Sequence, residues 1–148
     1  MAKNKKRLLL HRLLILFWLA SFVSGCASMQ SPTGGPKDSI PPGIVNEIPK
    51  NYTKNFTAKK VEIEFNEFVK LNNEYTEISI SPAMDIPPEF RVKKENLEIE
   101  FKQELEANTT YSINFGKAIA DVNESNILKN YSFVFSTGNE IDSLSISG

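Results

Sequence analysis

One cysteine, one histidine and one tryptophan occur in the 148 residues, and all three lie within the first 26. Beyond Cys26 the chain has no imidazole, no indole and no further thiol. That absence removes the Ser-His-Asp and Cys-His arrangements of nucleophilic catalysis, the ordinary His/Cys zinc site and any intrachain disulfide, although an exported protein would be free to form one. No cofactor and no metal are expected, and the chain is read as a non-enzyme. What remains for chemistry is carboxylate, Lys, Tyr and Ser, the groups of which any solvated surface is made.

Acidic residues are missing from residues 1–25, which carry Lys3, Lys5, Lys6, Arg7 and Arg12 followed by an apolar run from Leu13 to Val23. A basic start and a short apolar run form the layout of a secretory signal. A membrane-spanning anchor is the competing reading, but it needs roughly 20 apolar residues in a row, and His11 and Arg12 interrupt this stretch. The run ends at Val23-Ser24-Gly25-Cys26, a lipobox. Val23, Ser24 and Gly25 are the residues a lipoprotein signal peptidase would recognise, because small side chains fit its pocket, and the Cys26 thiol is the atom that would receive the lipid. Residues 1–25 are therefore expected to be removed, leaving Cys26 first and acylated, with palmitate-type chains holding the protein to a membrane.

Removing the five basic residues of the start from a total of 17 Lys and Arg leaves 12 against 18 Asp and Glu, a net charge near −6. Nucleic-acid binding needs clustered positive charge, so no nucleic-acid partner is expected. The 122 residues from Ala27 to Gly148 suit one domain with tails.

Residues 26–42, rich in Ser, Pro and Gly, bury too little apolar surface to offset their ordering entropy and read as a flexible tether. Such a tether spans on the order of 20–25 Å. From residue 43 the pattern becomes alternation. Val61, Ile63 and Phe65 fall on one face with Glu62 and Glu64 on the other, the period of a half-buried strand. Ile44–Ile48, Ile78–Ile80, Phe90–Val92, Leu97–Phe101, Tyr111–Phe115 and Tyr131–Phe135 read in the same way. Turn-forming residues separate them, and Lys94-Glu95-Asn96 is short enough for a hairpin. About seven short strands with one polar face predict an all-β antiparallel sandwich over residues 43–137. Lys117 to Lys129 reads as a long loop. Residues 138–148 read as a linker or as the start of a further domain, with a free tail as the other possibility.

Cys26, the segment Pro32-Thr33-Gly34-Gly35-Pro36-Lys37-Asp38 with Pro41-Pro42, and the strand Val61 to Val69 together resemble Ig-like domain-containing lipoproteins of Bacteroidota-type bacteria. Leu105 to Phe115, Asp121 to Asn126 and Phe133-Val134-Phe135-Ser136-Thr137-Gly138 are similar to the SbsA-type bacterial Ig-like domain. The resemblance implies an Ig-like sandwich on a cell-envelope lipoprotein and brings no catalytic residue with it. Where the pattern commonly has Gly-Asn, this chain has Ser125-Asn126. With no Trp and no disulfide to pack as in antibody domains, Phe65, Phe101, Tyr111, Phe115 and Phe133 would have to fill the core. Asp38-Ser39-Ile40 and Asp142-Ser143-Leu144 resemble the Asp-Ser/Thr-apolar sequence to which some of these bacteria attach O-glycans, which makes Ser39 and Ser143 the candidate acceptors. No acidic cluster resembling a surface-export signal follows Cys26, so the expected place is the outer membrane, on its periplasmic face.

Three further patterns have a functional and a plain reading. Asp121-Val122-Asn123-Glu124-Ser125 offers oxygen ligands at alternate positions, yet the sixth position is Asn126 and the twelfth Ser132, where a calcium loop has Gly and Glu; an Asx-rich turn is the reading adopted. Glu62, Glu64, Glu98 and Glu100 could suggest paired acids for glycoside hydrolysis, but a period of two places them on solvated strand faces. Tyr52, Tyr75, Tyr111 and Tyr131 could stack on sugars without forming a dedicated motif. The sequence therefore reads as a lipid-anchored structural, spacer or adhesive module, with a glycan- or peptide-binding component of an outer-membrane complex as the alternative. Its expected partners are the membrane, through the lipid, and envelope proteins or glycans.

Overall fold

A computed structural model describes residues 35–142, together with 7, 12, 14 and 15. Val23, Ser24, Gly25, Cys26 and Ser143 lie outside the described residues. The chain divides into two compact units, Met1–Pro36 and Lys37–Gly148. In the first, residues 7, 12, 14 and 15 are helical, and among the described residues no helix is long and apolar enough to cross a membrane.

The second unit is all-β. Its elements among the described residues are β1 (Ile44–Ile48), β2 (Lys60–Phe65), β3 (Val69–Leu71), a single helical turn α1 (Glu74–Glu77), β4 (Ser79–Ser81), β5 (Glu89–Lys93), β6 (Asn96–Glu100), β7 (Thr110–Asn114), β8 (Ile119–Asp121) and β9 (Ser132–Ser136). They form a four-stranded sheet in the order β1-β2-β6-β5, a three-stranded sheet β4-β7-β9 and a pair β3-β8. All of these strand pairs are antiparallel. Alternation sets the register: Ile63 faces Leu97 and Glu62 faces Glu98. A slip of one residue would carry the glutamates into the core.

Between the sheets lies a core of Val61, Ile63, Leu97, Ile99, Ile113 and Phe133, each 0% exposed, with Phe65, Phe101, Tyr111 and Phe115 also buried. Phe135 stands at its centre, with ring centroids 4.2 Å from Phe56, 5.3 Å from Tyr111 and 5.4 Å from Phe101. These rings occupy the space that a Trp on a disulfide fills in antibody domains. The Tyr111 hydroxyl also accepts the Glu106 backbone N–H at 3.0 Å, a bond to upstream backbone of the kind made at the tyrosine corner of Ig-like sandwiches.

Seven strands stand where alternation put them, and β3 and β8 are additional. β8 lies inside the segment expected to be a loop. Its three residues are all buried, so no polar face alternates with an apolar one and the period-two signal is absent. β3 is three residues long, too short to show a period. The β5–β6 turn is tighter than expected: Lys93 faces Asn96, so the turn is Lys94-Glu95, with Lys94 at φ 58°. After β7, Gly116 adopts φ 52°, and a Cβ there would lie 2.7 Å from the Glu77 carbonyl oxygen; only glycine lets this turn pass so close to α1.

The outer edge of β9 is covered by residues 51–56. Tyr52 N–H donates to the Val134 carbonyl (2.7 Å), Ser136 N–H to Thr53 (2.9 Å) and Phe56 N–H to Ser136 (2.9 Å). Asn51 extends this ladder with its side chain: its amide Nδ2 donates to the Ser132 carbonyl at 2.9 Å, and its Oδ1 accepts the Val134 N–H at 2.8 Å. An edge that could template pairing with other chains is thereby occupied.

Candidate functional site

The most constrained polar group in the domain is Asp121, the last residue of β8, at 0% exposure. Its Oδ1 accepts the backbone N–H of Glu124 (2.6 Å) and Ser125 (2.8 Å), and its Oδ2 that of Asn126 (2.9 Å). Burial pushes its pKa up, but these backbone bonds, with a contribution from the Asn126 side chain, outweigh it and hold the carboxyl below its ordinary value. The carboxylate thus closes the turn rather than facing a ligand, as the Asx-turn reading has it. Ser125, where the pattern has Gly, takes φ 64°, and its hydroxyl accepts from Lys70 Nζ at 2.8 Å.

Glu67 lies beside this turn. Its pKa is raised, first by burial and then by the nearby charges of Asp121, Asp38 and Glu124. Asp38 reaches this end through its carbonyl, which accepts from Asn126 Nδ2 at 3.2 Å. Among the described residues no group of three or more His, Cys, Asp and Glu side chains is placed to hold a metal ion.

Glu62, Glu64, Glu98 and Glu100 lie where the alternation placed them, on the outer face of the four-stranded sheet. Glu98 is 3.6 Å from Lys93 and 3.9 Å from Lys60. Lys102 lies 2.7 Å from Glu100 and 3.0 Å from Glu89. A hydrogen bond from Lys102, then one from Arg91, lowers the pKa of Glu89; one from Lys102 also lowers that of Glu100. Glu89 and Glu100 are thus held ionised by neighbouring cations, which is the opposite of what a general acid requires.

The tyrosines separate into two kinds. Tyr111 is in the core, and Tyr131 donates its hydroxyl to Glu47 Oε1 at 2.7 Å; burial, then Glu47, raises its pKa. Tyr52 and Tyr75 are exposed, Tyr75 to 93%. Phe68 is exposed as well, whereas Phe56 belongs to the core. Ser39 is exposed, next to Asp38, whose Oδ1 accepts the Ile40 N–H at 2.9 Å. Sequence reasoning missed Asn51; an amide side chain acting as a surrogate strand residue leaves no periodic signal.

Two antiparallel sheets closed over an aromatic core, with a tyrosine bond back to upstream backbone, define the class as an Ig-like β-sandwich. The family profile described as bacterial Ig-like domain matches residues 38–137, well over half of the chain, and the chain belongs to that family. Pro42 is among the fully buried residues, in keeping with a match that begins before β1. No curated protein matches the sequence. Among solved structures, an L,D-transpeptidase from Mycobacterium smegmatis is similar over 67% of this chain at 16% identity, with a TM-score of 0.43; the match spans 41% of that chain.

Proposed function

We propose that the chain is a lipid-anchored, non-catalytic module of a bacterial cell envelope with a structural, spacer or adhesive role. The observation that carries this reading is the basic start, apolar run and small pair ending at the sole cysteine, Cys26. Acylation there supplies the attachment: each buried CH₂ contributes about 0.8 kcal/mol, so one chain holds marginally and two hold stably. Residues after Cys26 space the sandwich from the membrane, and the sandwich presents its loops to envelope proteins or glycans. The membrane in this reading is the outer membrane of a Bacteroidota-type bacterium, with the domain of SbsA type on the periplasmic face. Ser39, exposed beside a braced Asp38, and Ser143 are the O-glycan acceptors.

Growth with alkyne-tagged palmitate tests the anchor. The label is expected on the chain and is expected to be lost in Cys26→Ser, which also keeps residues 1–25 and therefore a larger mass. Label that survives Cys26→Ser, or that never appears on the unsubstituted chain, would sink the proposal. Protease added to intact cells should leave the domain whole; its release would place it on the outer surface.

A further inference from the structure

β5 is an outer strand of the four-stranded sheet, and among the described residues no strand forms a ladder along its outer side, although β3 approaches it at the Lys94 end. A groove of about 560 Å³ between β3 and β5 is lined by Phe68, Phe90, Val92 and Val122. A second groove, of about 620 Å³, continues past α1 over Ile78, Ile80, Pro87 and Phe90. Glu74 and Phe90 border both, so the two form one apolar strip. Phe68 and Val122 on this strip are 53% and 47% exposed. Leu97 and Ile99 of β6 are fully covered, whereas Phe90 and Val92 of β5 are only half-buried. Contiguous apolar surface of this kind along an outer strand marks an interaction site.

The sequence of β5 shows what it would pair with. Glu89-Phe90-Arg91-Val92-Lys93 reads as its own complement under a two-fold rotation. In an antiparallel pair of two such strands centred on Arg91, Glu89 lies opposite Lys93 of the other copy, and Phe90 opposite Val92. Opposite charges and apolar side chains directly across from each other both favour pairing. Arg91 falls on the axis facing its own copy, but each Arg91 is neutralised at home: it donates to both oxygens of Glu89 at 2.8 Å and lies 3.5 Å from Glu100. The run is bounded as well. Pro88, which has no N–H to offer a ladder, precedes it, and beyond it Val69 N–H already donates to the Lys94 carbonyl at 3.0 Å.

We propose that two copies of this chain pair antiparallel through β5, joining their four-stranded sheets into one and bringing the apolar strip of each against the other. Such an interface is isologous and closes on itself, so it yields a dimer rather than a fibre.

Disulfide trapping tests the partner and the register together. On oxidation of the purified full chain, Arg91→Cys should form a linked species of twice the chain mass, because residues facing each other across a strand pair are within disulfide reach. The unsubstituted chain, which has only Cys26, sets the baseline, and Tyr52→Cys reports random collision. Glu89→Cys mixed with Lys93→Cys should link more than either alone. On the Arg91→Cys chain, Lys93→Glu should abolish the link, and adding Glu89→Lys should restore it. No link above baseline, equal linkage of Tyr52→Cys, or linkage of Arg91→Cys to Asn46→Cys of β1 instead of to itself would overturn the proposal. A linked species of any other mass would overturn it too, by showing a different occupant.

Discussion

The two sheets present opposite surfaces to solvent. On the four-stranded sheet, Lys60, Glu62, Glu98, Glu89, Arg91, Lys93 and Glu100 form a ladder of ion pairs. The three-stranded sheet shows Ser79 and Ser81 from β4, Thr110, Ser112 and Asn114 from β7, and Ser132 and Val134 from β9, and none of its strands contains a charged residue. The charged face keeps the sheet soluble and in register but adds little to stability, since exposed ion pairs lose most of their attraction to water and salt. The neutral face has no such ladder, and its sheet is held at its outer edge by backbone and amide bonds that water cannot easily replace. Charge on one side and covered hydrogen bonds on the other are two ways of holding a sheet, and they should fail under different conditions.

The largest effect is expected at the covered edge. Asn51→Ala strands the Ser132 carbonyl and the Val134 N–H beneath the 51–56 segment, at a cost of roughly 1–3 kcal/mol. Urea unfolding of the variant should show a lower midpoint with an unchanged slope; an unchanged midpoint would mean that the edge is held without the amide.

A smaller and pH-dependent effect separates two carboxylates at the end of the sandwich. Glu67, whose folded pKa lies above its ordinary 4.5, favours the fold when protonated, and stability is lost as pH rises through the folded value. Asp121, held below its ordinary 3.8, contributes stability above that value, which is lost as pH falls through the folded one. Glu67→Gln should therefore melt higher than the unsubstituted chain at neutral pH, with the gain vanishing below the ordinary Glu value. Asp121→Asn should melt lower at neutral pH, with the deficit narrowing in acid. Melting curves across that range check both, and parallel curves for either variant would contradict its assignment.

The smallest effect is expected on the charged face. Lys102→Ala removes the cation shared by Glu89 and Glu100, and its melting temperature should stay close to that of the unsubstituted chain in both low and high salt. A marked drop confined to low salt would show that the ladder supports the fold after all.

Sequence alone located the strands whose two faces differ, because Val61-Glu62-Ile63-Glu64-Phe65 carries its register in its own alternation. It could not locate β8, whose Ile119, Ala120 and Asp121 are all buried, since a strand covered on both sides has no polar beat. The Asx turn after Asp121 was legible as chemistry, from oxygen-bearing residues in the wrong order for calcium, but the burial of its carboxylate was not. Asn51 escaped for a related reason: its role depends on β9, far along the chain, and nothing local announces it. The glutamates were read correctly as a solvated face. The identity of the cations beside Glu89 and Glu100 depended on the pairing of β5 with β6.

The contact between residues 51–56 and β9 includes a parallel bridge between Thr53 and Phe135. The strand that closes the sandwich and the segment that follows its first strand therefore point the same way. Tension drawing the two ends of the domain apart slides these segments past one another and strains their hydrogen bonds together, instead of opening them one after another from a free end. In the tethered spacer proposed for this chain, the bonds of Tyr52, Phe56 and Ser136, with the amide of Asn51, would lie in the path of a mechanical load.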